Sequence, residues 1–151
     1  MLKEHSVSFV MTAEHLVTVD INDKVSRVRQ LLATRPIHHV PVLDRGKLVG
    51  IISTTDLLSL GLGIRYLDDE TIDARLDATF TIERVMEKAI VTLHPRDSLY
   101  QAAQLLVKES FNSLPVVDEM GELVGILTTR DILRFAMLQE DATGPESSPD
   151  S

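Results

Sequence analysis

The sequence predicts an α+β fold in which one β-α-β-β-α unit occurs twice in tandem. The first observation is a repeat, since residues 48–53 (LVGIIS) reappear almost unchanged as residues 123–128 (LVGILT). The second is that an Asp follows the hydroxyl residue by three positions in both copies, at Asp56 and Asp131. The third is that apolar runs typical of strands alternate with apolar stripes of helical period. We therefore expect two small sheets that pack face to face about a pseudo-twofold axis.

The first unit can be followed element by element. A helical turn ends at residues 10–11, and a short strand is expected over residues 16–19. The pair at 22–23 (Asn-Asp) is typical of a helix start, and the apolar positions that follow recur at helical spacing, at Val25, Val28, Leu31 and Leu32. Strands over residues 40–43 and 48–52 form a hairpin through a turn at Asp44-Arg45-Gly46. A closing helix begins near Thr54.

The second unit repeats this order. A helical turn ends at residues 85–86, a strand is expected over residues 90–93, and residues 95–98 (PRDS) signal a helix start. The helical stripe then comprises Leu99, Ala102, Ala103, Leu105 and Leu106. A hairpin of strands over residues 114–117 and 123–127 turns at residues 119–121, and the last helix begins near Thr129.

The two repeats divide the chain into residues 6–60 and 80–138. Residues 61–79 form a charged linker, which we expect to be one helix on the surface or at an interface because its apolar positions are Ile64, Leu67, Ile72 and Leu76. Residues 139–151 are rich in Glu, Asp, Ser, Pro and Gly, so we expect a disordered acidic tail.

Composition excludes several classes of protein. The net charge of −8 and the aromatic content of 4% argue against a nucleic-acid partner, because both phosphate attraction and base stacking are weak. The absence of Cys excludes disulfides and thiolate metal sites. No apolar run approaches the length of a membrane span, and residues 1–6 lack the apolar core of a signal peptide. A cytoplasmic protein that does not interact with membranes is expected.

The repeated hydroxyl-x-x-Asp element admits two interpretations. Ser53 with Asp56, and Thr128 with Asp131, fit a capping box that satisfies free N–H groups at a helix start. Alternatively, each carboxylate could accept hydrogen bonds from both ribose hydroxyls of a nucleotide, with the Ser or Thr hydroxyl beside the sugar or a phosphate. A phosphate would be repelled by the Asp, so it must point towards cations elsewhere.

The candidate cations for such a phosphate are His38, His39 and Arg130, with Lys88, Arg134 and Arg45 as weaker candidates. Adjacent histidines on a strand point to opposite faces, so at most one of the pair enters a given cleft. Each could equally be an ordinary polar surface residue. No third ligand accompanies the pair at metal-binding spacing, so no metal site is expected. No nucleophile with a neighbouring base appears, so the sequence does not predict an enzyme.

The doubled pattern Pro-Val-h-Asp…Gly-x-Leu-Val-Gly-Ile-h-Ser/Thr-x-x-Asp, with h apolar, resembles the CBS domain (cystathionine β-synthase domain) family. Over about residues 6–138 the chain resembles one CBS pair (Bateman module) of the stand-alone bacterial type, similar to acetoin-utilisation proteins. The resemblance implies a regulatory adenosine ligand (AMP, ADP, ATP or S-adenosylmethionine) in clefts between the repeats, with no cofactor required. It also implies a disc-like homodimer that signals to an effector protein of unknown identity.

Carried onto this sequence, the resemblance places ribose hydroxyls at Asp56 and Asp131, with Ser53 and Thr128 beside them. The residues just before the two repeated prolines would line the adenine and phosphate region: His38, His39, Asn112 and Ser113. Each cleft would be closed by the first strand of the other repeat. The Asp56 site would then include Ala89, Ile90 and Val91, and the Asp131 site would include Thr12, His15, Leu16 and Val17. Because the two sites differ in charge, with Arg130 only in the second, unequal affinities are expected.

Three functions remain open at this point. The leading interpretation is a regulatory module that senses an adenosine ligand and signals to a partner by a conformational shift. The alternative is a structural dimerisation or interaction module that binds no ligand and whose junctions are only capping boxes. An enzyme such as a nucleotide hydrolase would require turnover that no residue set in the sequence predicts.

Overall fold

The computed structural model describes residues 1–61 and 67–144, and the chain divides into two compact units. The first, which we name the Asp56 unit, contains Val17–Ile90 and Met120–Leu123. The second, the Asp131 unit, contains Met1–Leu16, Val91–Glu119 and the described residues from Val124 onward. Helices and two small sheets make up both units, which confirms the predicted α+β class.

The Asp56 unit is built on a three-stranded sheet of order β1-β2-β3, in which β1 is parallel and β3 antiparallel to β2. Its strands are β1 (Val19–Asp20), β2 (His39–Asp44) and β3 (Lys47–Ser53), and its helices are α1 (Val25–Thr34), α2 (Thr54–Leu58), α3 (Asp69–Thr79) and α4 (Ile82–Val85).

Local sequence explains where these elements turn and end. Asp44 pairs with Lys47 across the β2–β3 turn, and the two turn residues Arg45 and Gly46 have φ of 53° and 81°. Two consecutive positive φ angles give the tight turn whose twist suits a hairpin, and Gly46 adopts its angle without strain. Helix α1 ends just before Arg35-Pro36, as expected because the residue preceding a proline avoids helical angles.

Helix α3 provides much of the cover for this unit. Its Ile72 and Leu76 are only 4% and 2% exposed and pack in one core with Val28 of α1. The Arg29 guanidinium bonds the Asp73 carboxylate, and this contact lowers the pKa of Asp73. The structure therefore has a helix in the predicted linker, with its apolar side in the core. Ile64, also assigned to that side, lies outside the described residues.

The Asp131 unit contains a two-stranded sheet, three helices and its own core. After a 3-10 helix at Val7–Phe9 come α5 (Leu99–Glu109), β4 (Ser113–Val117), β5 (Leu123–Thr128) and α6 (Thr129–Thr143). Buried side chains join the strands to the helices: Leu99, Leu106, Leu114, Val116, Leu127, Ile132 and Phe135. None of the helices within the described residues is both long and apolar enough to cross a membrane.

Two sequence predictions differ from the structure. The strand expected at 16–19 is reduced to β1, because only Val19 and Asp20 pair with β2. Its counterpart at 90–93 is a single parallel bridge between Leu93 and Val116. The predicted disorder from Gln139 is wrong as far as Thr143, since α6 continues to that residue and each added helical residue gains a backbone hydrogen bond. The end of the predicted tail, residues 145–151, lies outside the described residues.

Candidate functional site

Each unit contains one strand-to-helix junction with the repeated hydroxyl-x-x-Asp element. At the first, the Ser53 N–H donates to Asp56 Oδ2 at 2.7 Å and the Asp56 N–H donates to Ser53 Oγ at 3.0 Å. At the second, the Thr128 N–H donates to Asp131 Oδ2 at 2.9 Å and the Asp131 N–H donates to Thr128 Oγ1 at 3.0 Å. Both junctions are complete capping boxes, so the structural interpretation of the motif is confirmed.

The capping box uses only part of each acidic side chain. Its bonds engage Oδ2 of Asp56 and of Asp131, and within the described residues no hydrogen bond reaches either Oδ1. Both Asp residues are half-buried rather than sealed in a core. A carboxylate has about four acceptor sites on its two oxygens, so one N–H bond leaves capacity for other donors. Capping the helix and holding a sugar hydroxyl are therefore compatible tasks for the same side chain.

The residues before the repeated prolines lie at the junctions. The Thr54 N–H donates to the His38 carbonyl at 3.0 Å, and the Thr129 N–H donates to the Asn112 carbonyl at 2.9 Å. In the same sheet, His39 is the direct cross-strand partner of Ser53. The two junctions thus share one backbone arrangement, which places His38 and Asn112 at equivalent points.

A second segment runs beside each junction and comes from the other sequence repeat. Glu87 and Ile51 exchange backbone hydrogen bonds of 2.8 and 3.0 Å, and Thr12 and Ile126 exchange two of 2.9 Å. Ile51 lies on β3 just before Ser53, and Ile126 lies on β5 just before Thr128. The chain after each of these bridges therefore begins alongside the hydroxyl-x-x-Asp element.

A glycine–methionine contact holds each of these segments in place. A Cβ added at Gly50 would lie 2.3 Å from Met86 Sδ, and one added at Gly125 would lie 2.6 Å from Met11 Sδ. The methionine occupies the space that a side chain at the glycine would need, just before the bridge to the same strand. The sequence signal for these contacts is the identical placement of the glycine and the methionine in both repeats.

The structure groups most of the predicted site residues by unit. The Asp56 unit contains His38, His39, Ser53, Asp56, Ala89 and Ile90, and the Asp131 unit contains Thr12, His15, Leu16, Asn112, Ser113, Thr128, Arg130 and Asp131. Two residues fall differently. Val91 belongs to the Asp131 unit and Val17 to the Asp56 unit, so neither is grouped with the residues predicted to lie beside it.

The electrostatics of the two junctions differ. Although the His39 residue remains exposed, the atoms packed around its ring lower the pKa of the imidazole; His38 adds to this effect and the Asp56 carboxylate opposes it. A lowered pKa disfavours the protonated imidazole, so this packing opposes a cationic role for His39. Arg130, in the first turn of α6, is exposed and charged.

Each unit has a cavity whose lining does not include its junction. A 610 Å³ cavity in the Asp56 unit is lined by Lys24, Asp77 and Phe80, among others, and a 430 Å³ cavity in the Asp131 unit by Gln101, Gln104 and Lys108. Neither is lined by the hydroxyl-x-x-Asp residues. Across residues 1–61 and 67–144, no cluster of three or more His, Asp or Glu is arranged to hold a metal ion.

Comparison with known proteins supplies the family context. The model of the CBS domain family matches residues 7–63 and 82–138. A curated relative, the chloroplastic CBS domain-containing protein CBSX2 of Arabidopsis thaliana, is 32% identical over an alignment of 147 positions that covers 85% of this chain and 62% of that protein. Across CBSX2 and two uncharacterized proteins of Methanocaldococcus jannaschii, the chain spans from 35% to 62% of the relative's length.

Solved structures with the same fold include two bound to adenosine compounds. CBSX2 in complex with AMP has 29% identity and a TM-score of 0.75, covering 90% of this chain and 98% of that one. The CBS domain pair of protein MJ0100, in complex with 5′-methylthioadenosine and S-adenosyl-L-methionine, has 26% identity and a TM-score of 0.68, covering 89% and 98%. A putative acetoin utilization protein (AcuB) from Vibrio cholerae has 26% identity and a TM-score of 0.73, covering 95% and 98%.

Proposed function

The chain belongs to the CBS domain family, and on that basis we propose that it is a regulatory module that binds an adenosine-containing ligand. The observation that carries the proposal is the duplicated junction. In each copy a half-buried Asp accepts the capping N–H through Oδ2, while Oδ1 takes no part in the cap. The complexes of CBSX2 with AMP and of MJ0100 with 5′-methylthioadenosine and S-adenosyl-L-methionine support the ligand class. Adenosine is common to those ligands, so we expect it to be the part recognised here.

Each junction offers complementary groups to the sugar. Asp56 and Asp131 would accept hydrogen bonds from the ribose hydroxyls through Oδ1, as acidic residues do in dinucleotide folds. The hydroxyl oxygens of Ser53 and Thr128 already accept a backbone N–H, so their own hydrogens remain available as donors. The adenine would lie against the segments that begin at the Glu87 and Thr12 bridges.

Regulation requires that the ligand bind one arrangement of the protein better than another, since only differential affinity shifts an equilibrium. We propose that the chain acts in the cytoplasm as a homodimer and transmits this shift to a separate effector protein. Helix α6 presents Leu133, Met137 and Leu138 to solvent at 59%, 67% and 60% exposure, which supports cover by a second copy. The molar mass in solution, from light scattering coupled to gel filtration, tests the homodimer.

One observation favours the alternative of a structural module that binds no ligand. Both capping boxes are complete without any ligand, so the spacing of Ser53 to Asp56 and of Thr128 to Asp131 has a sufficient structural cause. The alternative expects no adenosine compound to raise the melting temperature, even at millimolar concentration, because a ligand that binds the folded state must stabilise it. An enzyme would instead consume ATP in the same samples, which chromatography of the nucleotide detects.

The proposal is tested by titration calorimetry with AMP and S-adenosylmethionine on the parent protein and on Asp56→Asn and Asp131→Asn. Asn keeps the side-chain shape and an oxygen for the cap but removes the charge, so we expect an affinity loss of about tenfold or more at the altered site. Matched controls are Asp68→Asn and Asp97→Asn, whose carboxylates also accept a backbone N–H but lie outside the junctions. Equal losses in the controls, or no binding by the parent, would reject the proposal. Mass spectrometry of co-purifying small molecules identifies the ligand.

A further inference from the structure

Helix α3 closes one face of helix α1 in the Asp56 unit. It carries four acidic residues and one arginine, and its apolar side lies in the core of the unit. The Gln30 side-chain amide donates to Asp73 Oδ2 at 3.1 Å, and Arg29 pairs with the same carboxylate. The Ser26 N–H donates to Asp77 Oδ1 at 2.9 Å. An acidic amphipathic helix is therefore bound along this face of α1.

Helix α5 is the counterpart of α1 in the Asp131 unit. Counted from the first residue of each helix, the fully buried Val28 of α1 corresponds to the fully buried Ala102 of α5. The same count pairs Ser26, Arg29 and Gln30 with Tyr100, Ala103 and Gln104. The chain has one helix of the α3 kind, and it lies in the Asp56 unit. In the described part of the chain, no hydrogen bond engages the Gln104 amide.

The corresponding surface of α5 presents apolar side chains to solvent. We name it the α5 face and define it as Tyr100, Ala103, Gln104 and Val107, whose spacing places them on one side of the helix. Tyr100 is 39% exposed and Val107 is 82% exposed. Grouped apolar side chains on a surface, bordered by polar ones, are typical of a protein-binding site.

Cationic groups border the α5 face. The 430 Å³ cavity of this unit is lined by Gln104 and by Lys108 from the last turn of α5. The one carboxylate in the lining, Asp97, belongs to the turn before the helix. Lys3 Nζ lies 4.7 Å from the centroid of the Tyr100 ring. The ion pairs of the described residues include neither lysine, so both can attract an acidic partner.

We propose that the α5 face docks an acidic amphipathic helix of another protein, in the way that α1 binds α3. The apolar side of the partner helix covers Tyr100 and Val107. One of its carboxylates accepts a hydrogen bond from the Gln104 amide, as Asp73 does from Gln30. The α3 helix of a second copy is not available, because its apolar side is already buried in its own unit. The inference goes beyond the proposed function, since it concerns a protein partner and uses no residue of the two junctions.

The probe for this chemistry is a peptide with the sequence of residues 68–80. It is labelled, blocked at both ends and held helical by a staple between positions 74 and 78, which are exposed in α3, because a free peptide of this length forms little helix. Fluorescence anisotropy with the full chain should show saturable binding. Val107→Asp should weaken binding about tenfold or more by placing a charge in the apolar contact. Leu133→Asp, at a 59% exposed apolar position on α6, is the matched control and should change the affinity by less than about twofold.

A double-mutant cycle tests the predicted hydrogen bond. Asp73→Ala in the peptide and Gln104→Ala in the protein should each weaken binding about tenfold, the size expected for a hydrogen bond to a charged group. Together they should cost little more than either alone, because both remove the same bond. Gln30→Ala in the protein should leave the affinity within about twofold, since α3 of the chain already occupies that residue.

Three results would overturn the inference, and each leaves the proposed function standing. The first is no binding by the parent at a protein concentration of about 1 mM. The second is a loss caused by Gln30→Ala but not by Gln104→Ala, which would mean that the peptide replaces α3 on α1. The third is a change in the molar mass of Val107→Asp without a change in peptide affinity, which would mean that a second copy covers the α5 face. Circular dichroism of each variant checks that the fold is retained.

Discussion

The close approach of Met86 to Gly50 predicts that Gly50→Ala, which adds only a methyl group, destabilises the folded protein. In Gly50→Ala the new methyl carbon would lie 2.3 Å from Met86 Sδ, 2.7 Å from Cγ and 2.9 Å from Cβ. Ordinary carbon contacts lie at about 3.5–4.0 Å, so the whole methionine side chain must move by roughly an ångström or more. Rotation of the thioether alone cannot relieve the contact with Cβ, which is fixed to the backbone.

Met86 is only 8% exposed, so this movement must take place within packed surroundings. Overpacking of this kind costs about 1–3 kcal/mol. For a chain of this size each kcal/mol lowers the melting temperature by about 2–4 °C, so we expect a decrease of roughly 2–12 °C. Urea unfolding followed by circular dichroism gives the free energy, and a thermal melt gives the temperature.

A double-mutant cycle separates steric conflict from other effects of the alanine. Met86→Ala alone should cost about 2–5 kcal/mol by leaving a cavity. In the double variant the methyl group at position 50 enters that space, so its cost should be lower than the sum of the single costs by about 1 kcal/mol or more. Additive costs, within about 0.5 kcal/mol, would refute the argument that Gly50 exists to admit Met86.

Three further predictions concern the Asp56 unit. Leu76→Ala in α3 should destabilise the protein by about 2–5 kcal/mol in urea unfolding, and an unchanged midpoint would contradict the role of α3 in the core. Because the pKa of His39 is lowered in the folded state, the unfolded chain binds more protons than the folded one below about pH 6.5. The free energy of unfolding should therefore fall as the pH decreases below that value. His39→Gln should make the free energy of unfolding depend less on pH in this range. Arg29 lowers the pKa of Asp73, so this carboxylate contributes stability above about pH 4 that is lost as the pH falls through its folded pKa. In Asp73→Asn the melting temperature should therefore decrease less between neutral and acidic pH than in the parent.

The helices and hairpins were predictable because their signals are local. The stripe from Val25 needs only helical spacing to be recognised, and the turn at Arg45-Gly46 needs only its own two residues. Strand β1 was not predictable at the same accuracy, since nothing in residues 16–18 excludes a strand. Its extent depends on where Val42 and Leu43 offer partners, which is a tertiary property.

The candidate site shows the same division between local and tertiary information. The spacing of Ser53 to Asp56 admits a cap or a ligand contact, and the structure shows that the cap forms through a single oxygen. The sequence offers His39 as a candidate cation, whereas the surrounding atoms that lower the pKa of its imidazole are brought there by packing. At the chain end, the acidic composition predicts disorder, yet Gln139, Glu140 and Ala142 are good helix formers that extend α6.

The exchange of leading segments between the repeats has an evolutionary consequence. Met1–Leu16 belongs to the unit built mainly from the later repeat, while Glu87 borders the strand of the earlier one. An ancestral protein with a single copy would have lacked the segment that pairs with the second strand of its own β-hairpin. Two such molecules could form a domain-swapped dimer in which the first residues of each pair with the β-hairpin of the other. Fusion of the genes would then have joined the two copies in one chain, and the sequences of the two copies could diverge.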